Sequence, residues 1–361
     1  MKKKSLASLE IAAIVTELQF LINGKVSQIY HQNREILLQL HAAGQGKQLL
    51  KIVPGKLLCL TNDKNAPLRP SGFCMQLRKY LDNAFIKGIY QKHSERIVVF
   101  EFEKTDDFYL IIELFSKGNV VLTDKNLVII GALEHHVWKD RIVKTNETYI
   151  FPKAENGWKE LTKEDLDLVF KKSDRKNLAT CLATQTGLGG VYAEEVCRRV
   201  GVDKNKLPKE LTAKEILLIF SEIRELLRLI ENSKGYLYEE QITPFPLTEE
   251  KLLGTTKTYN EAVALLRPLE LTSPYEKKIH TLKRTIDEQE RAIETLKDKI
   301  LLNKRKGEVI YEKYVPLQKL LDIVHKLKET KTWAEIASEL QKEKKIKLVN
   351  LKNKTTTIDL Q

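Results

Sequence analysis

Between residues 276 and 303 an isoleucine returns at every seventh position: Ile279, Ile286, Ile293 and Ile300. The second position of the same repeat holds Leu282, Gln289, Leu296 and Asn303. A seven-residue repeat matches two helical turns, so these side chains draw one narrow stripe along a long helix. Most of the intervening positions are charged. A stripe of this kind is a coiled-coil seam that a partner must cover, and the amides Gln289 and Asn303 serve as register marks. The pattern predicts a first coiled-coil limb over 276–306. No later segment repeats the heptad. That leaves two expectations: self-association through residues 276–303, or an antiparallel return limb that the sequence does not contain.

The chain ahead of the limb has other periods. Ile11, Ile14, Leu18, Leu21 and Ile22 recur at helical spacing, and Asn23-Gly24 ends the run. Short strand-like segments follow over 25–30, 35–41, 48–53 and 56–61, separated by turn-forming residues. Pro70-Ser71 opens a second helix carrying Phe73, Leu77 and Leu81 on one face. Five further strands are predicted over 85–91, 96–103, 108–115, 119–123 and 127–133. Two helices among antiparallel strands predict an α+β domain over 1–153. From 154 to 245 the period becomes helical, with Thr212 and Glu215 as a capping box. Residues 246–275 read as a linker. The last region, 307–361, reads as helices followed by a β-hairpin, a small α/β unit.

The formal charge of +12 and pI near 9.2 favour phosphate-bearing partners, although a generally lysine-rich surface would give the same balance. No apolar run is long enough to span a membrane. Glu10, Thr16, Glu17 and Gln19 spoil any export signal in the first helix. Cys59, Cys74, Cys181 and Cys197 have neither metal-ligand spacing nor a small disulfide-rich context. Reduced, packed thiols in a cytoplasmic protein are expected, with no metal and no cofactor.

Several phrases then occur in a fixed order. They are Pro70-Ser71-Gly72-Phe73 running into Leu77-Arg78-Lys79-Tyr80-Leu81, Glu95-Arg96-Ile97, the run from Glu113 to Asp124, and Arg141 through Tyr149-Ile150-Phe151-Pro152. Thr186–Glu195 and the run from Lys306 to Glu312 complete the series. In this order they resemble the NFACT family of RqcH/NEMF-type ribosome quality-control factors, which includes proteins once named fibronectin-binding protein A. The resemblance covers essentially the whole chain. It implies an NFACT-N domain over 1–153, similar to the N-terminal domain of formamidopyrimidine-DNA glycosylases, then a helix-hairpin-helix domain, a coiled-coil limb and a middle region. The family's return limb and its NFACT-R domain have no counterpart here, so a shortened member is expected.

The resemblance also implies a function. Family members bind tRNA on an obstructed large ribosomal subunit that still holds peptidyl-tRNA, and bacterial and archaeal members use alanyl-tRNA for template-free alanine tailing. The peptidyl-transferase chemistry is the ribosome's, so the chain is expected not to be an enzyme. The family associates an aspartate in the first helix and an Asp-Arg pair before a strand with tRNA handling. The matching positions are Glu10, Glu95 and Arg96, each acid one methylene longer than the family's.

Residue chemistry adds to this. Arg96 offers a planar charged fork for phosphate or a base edge, and a neighbouring carboxylate can orient it and accept base amino protons. An ordinary strand-end ion pair is the competing reading. Arg78 and Lys79 make a smaller basic patch that could equally be a solvated helix face. Gly187, Gly189 and Gly190 lie between two helices, where backbone amides can approach a phosphate, with Arg198 nearby. A purely structural αα-hairpin is as good a reading of that segment taken alone.

No P-loop, GxSxG or HExxH motif is present, and His135-His136 would point to opposite faces of a strand. Two other functions remain as alternatives. A glycosylase-like DNA-binding protein would need the N-terminal proline amine and adjacent glutamate that Met1-Lys2-Lys3-Lys4 does not offer. A fibronectin-binding adhesin would need an export signal.

Overall fold

The computed structural model describes residues 5–64, 69–137, 141–152, 157–266, 274–340, 346–350 and 355–358. The expected boundary at 153, the end of the linker at 267–273 and the amino-terminal Met1-Lys2-Lys3-Lys4 lie outside them. The chain divides into two units, Met1–Leu271 and Thr272–Gln361, each described by itself.

The first unit opens with α1 (Ser8–Glu17), shorter than its apolar pattern predicts because the chain tightens into a 3-10 turn at Gln19–Leu21. Leu18 and Leu21 remain buried through that turn, so the periodicity outlives the helix. Then come β1 (Lys25–Gln32), β2 (Glu35–Ala42), β3 (Gly46–Val53) and β4 (Leu57–Leu60). Helix α2 (Gly72–Leu81) starts at Ser71, whose hydroxyl accepts from the Cys74 amide at 3.1 Å. Strands β5 (Phe85–Gln91), β6 (Ile97–Glu103), β7 (Asp107–Glu113), β8 (Asn119–Asp124) and β9 (Ile129–Ala132) complete one nine-stranded sheet in the order β4-β3-β2-β1-β5-β6-β7-β8-β9. Every pairing in it is antiparallel. The two four- and five-stranded meanders meet at β1 and β5, where Lys25 pairs with Phe85.

Strand β6 shows why this region reads as nearly unbroken apolar sequence. Val98, Phe100 and Phe102 face the main core with Ile29, Leu38, Leu77 and Leu110. Ile97 and Val99 face a second cluster with Ile111, Val121, Val143 and Tyr149. Successive side chains alternate across the sheet, and here both faces are covered. A short pair, β10 (His136–Val137) and β11 (Ile142–Val143), lies beyond β9.

Two turns meet backbone to backbone. Gly55 (φ +74°) and Gly118 (φ +70°) take up the left-handed conformation that glycine tolerates, and the Gly55 amide donates to Glu113 O at 3.0 Å. A Cβ at Gly118 would stand 1.8 Å from the Gly55 nitrogen. Only glycine fits.

Helices α3 (Lys163–Lys172), α4 (Leu178–Gln185), α5 (Gly190–Val200) and α6 (Ala213–Glu231) follow. Thr162, Asn177 and Thr212 cap α3, α4 and α6, the last as the expected capping box with Glu215. Their buried residues, among them Leu182, Tyr192, Val196, Ile219 and Leu226, belong to the same core cluster as the sheet. Helices and sheet therefore share one hydrophobic interior.

The end of the region read as helical and the start of the segment read as a linker form a three-stranded sheet, β12 (Gly235–Leu237) and β13 (Ile242–Thr243) in the first and β14 (Gly254–Thr256) in the second, which leads into α7 (Tyr259–Ala264). Tyr259, Ala262 and Val263 are buried in the core. These elements are too short to show a period in sequence, and distant contacts hold them: Glu17 on α1 accepts from the Ser233 hydroxyl at 2.7 Å and from the amides of Tyr259 and Asn260 at 2.7 and 2.8 Å. Burial raises the pKa of Glu17 against those three hydrogen bonds.

The second unit contains the heptad segment as one helix, α8 (Pro274–Glu312), followed by α9 (Tyr314–Thr330) and α10 (Trp333–Leu340). Strands β15 (Ile346–Asn350) and β16 (Thr355–Ile358) form the expected hairpin.

Candidate functional site

Helix α1 places Glu10 where the sheet meets the helices. Glu10 is 1% exposed, which for a carboxylate demands partners. It sits in the first helical turn, and its Oε2 accepts from the Ala7 amide at 2.8 Å, as a glutamate does in a capping box. Its Oε1 accepts from the Tyr192 hydroxyl on α5. Burial, then the nearby Glu10 carboxylate, pushes the Tyr192 and Tyr259 phenols well above their ordinary value. Both phenols therefore stay protonated at neutral pH.

Arg96 comes from the turn that leads into β6. Its amide carbonyl accepts from Leu114 N at 2.8 Å, and its Nη2 donates back to the Leu114 carbonyl, so one arm of the fork is pinned to β7's end. Its Nε is buried and has no hydrogen-bond partner among the described residues. Burial lowers the guanidinium pKa, and the Glu10 carboxylate opposes that shift. Two residues distant in sequence, Glu10 and Arg96, are thus electrostatic neighbours. Glu95 is half-buried beside them, its amide donating to Lys92 O at 3.0 Å.

A polar weld fixes this corner. The Ser8 hydroxyl donates to the Ser94 carbonyl and accepts from Trp158 Nε1 at 2.9 Å. Gln91 Nε2 donates to Ser8 O at 2.9 Å and to Glu95 O at 2.8 Å. The Ser94 hydroxyl reaches Glu160 at 3.0 Å. Helix α1, the Glu95-Arg96 turn and the chain around Trp158 are therefore tied together by a largely buried network of hydrogen bonds. Ser8, Gln91, Ser94 and Trp158 carry no sequence motif, and only their long-range contacts reveal them; Tyr192 lies within the Thr186–Glu195 phrase, but its bond to Glu10 shows only in the structure.

The glycine turn lies close to Glu10. Gly187 and Gly189 have φ of +75° and +88°, and α5 begins at Gly190 without a side-chain cap. Glu10, Gly189, Gly190 and Tyr192 line a cleft of about 660 Å³, shared with Tyr238, Glu239, Glu240, Glu250 and Lys251. Four carboxylates against one lysine make this cleft anionic. The helix terminus alone would welcome a phosphate, but the surrounding acids favour amino groups instead.

The remaining expected residues stand elsewhere. Arg198 pairs with Glu195 at 2.7 Å and Glu249 at 2.9 Å. Burial works against charge on Glu195, yet hydrogen bonds from Thr248, Arg199 and Arg198 hold its pKa below the ordinary value. Arg198 is thus part of an internal ion cluster. Arg78 donates from Nε and Nη2 to Ile29 O at 2.9 and 2.6 Å and lies over Tyr30. Lys79 is exposed over Tyr80. Lys64 also lies over Tyr30, so this patch is basic and aromatic together. Among the described residues there is no group of metal-ligating side chains, and no helix is long and apolar enough to cross a membrane.

A large antiparallel sheet joined through one core to an αα-hairpin, with a long heptad helix later in the sequence, defines the architecture of this chain. A family model described as NFACT N-terminal and middle domains matches residues 8–359, and the chain belongs to this family. An archaeal Rqc2 homolog, aRqcH of Methanocaldococcus jannaschii, is 31% identical over 97% of this chain and 56% of its own length. The human ribosome quality control complex subunit NEMF is 27% identical over 76% of this chain and 26% of its own. The chain thus spans about half the length of the archaeal relative and less of the human one. Among solved structures, the fibrinogen binding protein from Staphylococcus aureus superimposes with a TM-score of 0.61 at 20% identity, over 72% of this chain and 98% of that one. The N-terminal part of the Streptococcus suis fibronectin/fibrinogen-binding protein gives 0.58 at 21% identity, with the same coverage. These two likenesses establish the fold.

Proposed function

We propose that this chain is the tRNA-engaging portion of a ribosome-associated quality-control factor. In this reading it binds tRNA, alanyl-tRNA in particular, on a large ribosomal subunit that carries peptidyl-tRNA, and it supports template-free alanine tailing there. It performs no bond chemistry itself. The curated relatives that carry ribosome quality-control names support the setting.

The observation that carries the tRNA reading is the Glu10 carboxylate in the wall of an anionic cleft, near enough to Arg96 for its charge to act on that guanidinium. A carboxylate accepts hydrogen bonds from the exocyclic amines of unpaired bases, and a guanidinium donates to base oxygens and ring nitrogens. Both groups are held by backbone and buried partners, so binding does not have to order them. The chain's excess positive charge meets the phosphates outside the cleft.

Titration of deacylated and alanylated tRNA against the chain and against its Arg96→Ala variant tests this. Affinity is expected to fall steeply as salt rises and to drop on substitution more than thermal stability does. Equal binding by the two proteins removes Arg96 from the interface. Failure to co-sediment with split large subunits removes the ribosomal setting.

A further inference from the structure

One row of side chains crosses the nine-stranded sheet on the face turned away from the main core. Residues paired across antiparallel strands project to the same side of a sheet. The pairs Lys47–His41, His41–Lys25, Lys25–Phe85, Phe85–Glu103 and Glu103–Asp107 therefore align these residues from β3 through β2, β1, β5 and β6 to β7. Their chain neighbours Val26, Ile86, Phe102 and Phe108 point into the core, so the row itself faces solvent. Lys47, His41, Phe85 and Glu103 are exposed, and Lys25 and Asp107 are half-buried.

The row is a dipole centred on Phe85. Lys25 and Lys47 lie on one side of the ring, and Glu103 and Asp107 lie on the other, with Glu101 further along β6. Lys87 bonds Asp107 at 3.3 Å and offsets one of those three acids. Two positive charges on one flank thus balance two negative charges on the other. Between the flanks, Phe85 is 50% exposed, and Tyr90 on the same face of β5 is 37% exposed.

That balance excludes a partner of one sign. A nucleic-acid backbone is attracted by Lys25 and Lys47 and repelled by the acids just beyond Phe85. A second copy of the chain satisfies both flanks. Rotation by half a turn about an axis that lies over Phe85, parallel to β5, brings each flank onto the opposite flank of the copy. Lys25 then meets Glu103, His41 meets Asp107, and Phe85 and Tyr90 meet their own counterparts. An axis running across the strands sets Lys25 on Lys25 and Glu103 on Glu103 instead. The charges therefore select the first packing, which keeps the strands of the two sheets aligned as in a sandwich.

We infer that this outer face of the sheet docks a second copy of the chain, with Phe85 on the two-fold axis and the Lys25 flank of each copy against the Glu103 flank of the other. The interface is isologous, so every contact occurs twice. Burial of the two pairs of rings supplies affinity, and the duplicated charge pairs fix the orientation. Such a face is small against a standard interface, and the pair forms at about micromolar concentration.

Sedimentation velocity of the whole chain, from about 1 to 100 μM at about 50 mM salt, tests this. A monomer–dimer equilibrium is expected, weaker at about 500 mM salt. Phe85→Asp, at an exposed position, is expected to give a folded monomer. Lys25→Glu and Glu103→Lys are each expected to weaken the dimer at least about ten-fold, since symmetry counts each change twice. Mixed in equal amounts, those two variants are expected to pair with each other, because one carries two acids at these positions and the other two lysines. A monomer at every concentration, a dimer that survives Phe85→Asp, or a mixture that stays monomeric each overturns the inference. A chain that stays monomeric and loses RNA binding on Phe85→Asp assigns the face to nucleic acid and overturns it too.

Discussion

The Glu10 carboxylate on α1 accepts a hydrogen bond from the Tyr192 hydroxyl on α5, 182 positions later in the chain. That bond joins the sheet-bearing part of the first unit to its helical part at the point where Arg96 also feels the Glu10 charge. The same carboxylate is thus a structural tie and a component of the candidate site.

Tyr192→Phe removes one donor from a buried charged acceptor and leaves the ring in place. Such a group loses about 1–3 kcal/mol when a partner is deleted. Urea denaturation at neutral pH is expected to show that loss, with little change in the slope of the transition. Coincident curves would mean that the Ala7 amide and other neighbours satisfy Glu10 without the phenol.

Arg96→Lys separates charge from shape. Lysine keeps the positive charge but lacks the planar fork that donates to the Leu114 carbonyl. Affinity for tRNA is expected to fall roughly ten-fold, about 1.4 kcal/mol, while the salt dependence stays the same. Binding as tight as that of the unaltered chain would make Arg96 a point charge and nothing more.

Glu215 gives a pH signature. The Lys206 ammonium, then the Thr212 amide and hydroxyl, draw its pKa from 4.5 down to about 2. The folded chain therefore releases this proton more readily than the unfolded one. The stabilisation is complete above pH 4.5 and disappears as pH falls through the range from 4.5 to 2. Glu215→Gln retains the capping geometry and is expected to cost at most about 1 kcal/mol at neutral pH, since solvent screens the pair. Denaturation midpoints of the two proteins are expected to converge in that acidic range; a gap that stays constant with pH would exclude the ionic contribution.

Gly118→Ala and Gly44→Ala make a matched pair. Both glycines have φ near +70°, but a Cβ at Gly44 meets nothing within 4 Å whereas one at Gly118 collides with the Gly55 backbone. The Gly44 change is expected to cost about 1 kcal/mol, and the Gly118 change well beyond that. Equal thermal shifts would show that the two turns move apart at little cost.

Much of the fold was legible because its elements are long enough to display a period. The strands that became β1–β9, the capped helix α6 and the single helix α8 all announce themselves through alternation, capping residues or heptads. The stretch from Gly235 to Ala264 did not, since its strands of two or three residues and six-residue α7 depend on Glu17 and the core for their order. The site divides in the same way. Glu10, Glu95 and Arg96 were found through a family resemblance, and in the structure Glu10 is near enough for its charge to act on the Arg96 guanidinium. The roles of Ser8, Gln91, Trp158 and Tyr192, which hold them, were invisible because each has its meaning only in a contact far along the chain. The glycine turn could be located but not its electrical surroundings, which come from Glu239, Glu240 and Glu250.

The common interior of sheet and helices has an evolutionary corollary. A module that owns its core can be shuffled between genes by a single recombination. Here Phe100 and Leu182 belong to one packed cluster, so a crossover between them would strand two half-cores whose side chains have no complement. Sheet and helices are therefore expected to pass between genes only as one block.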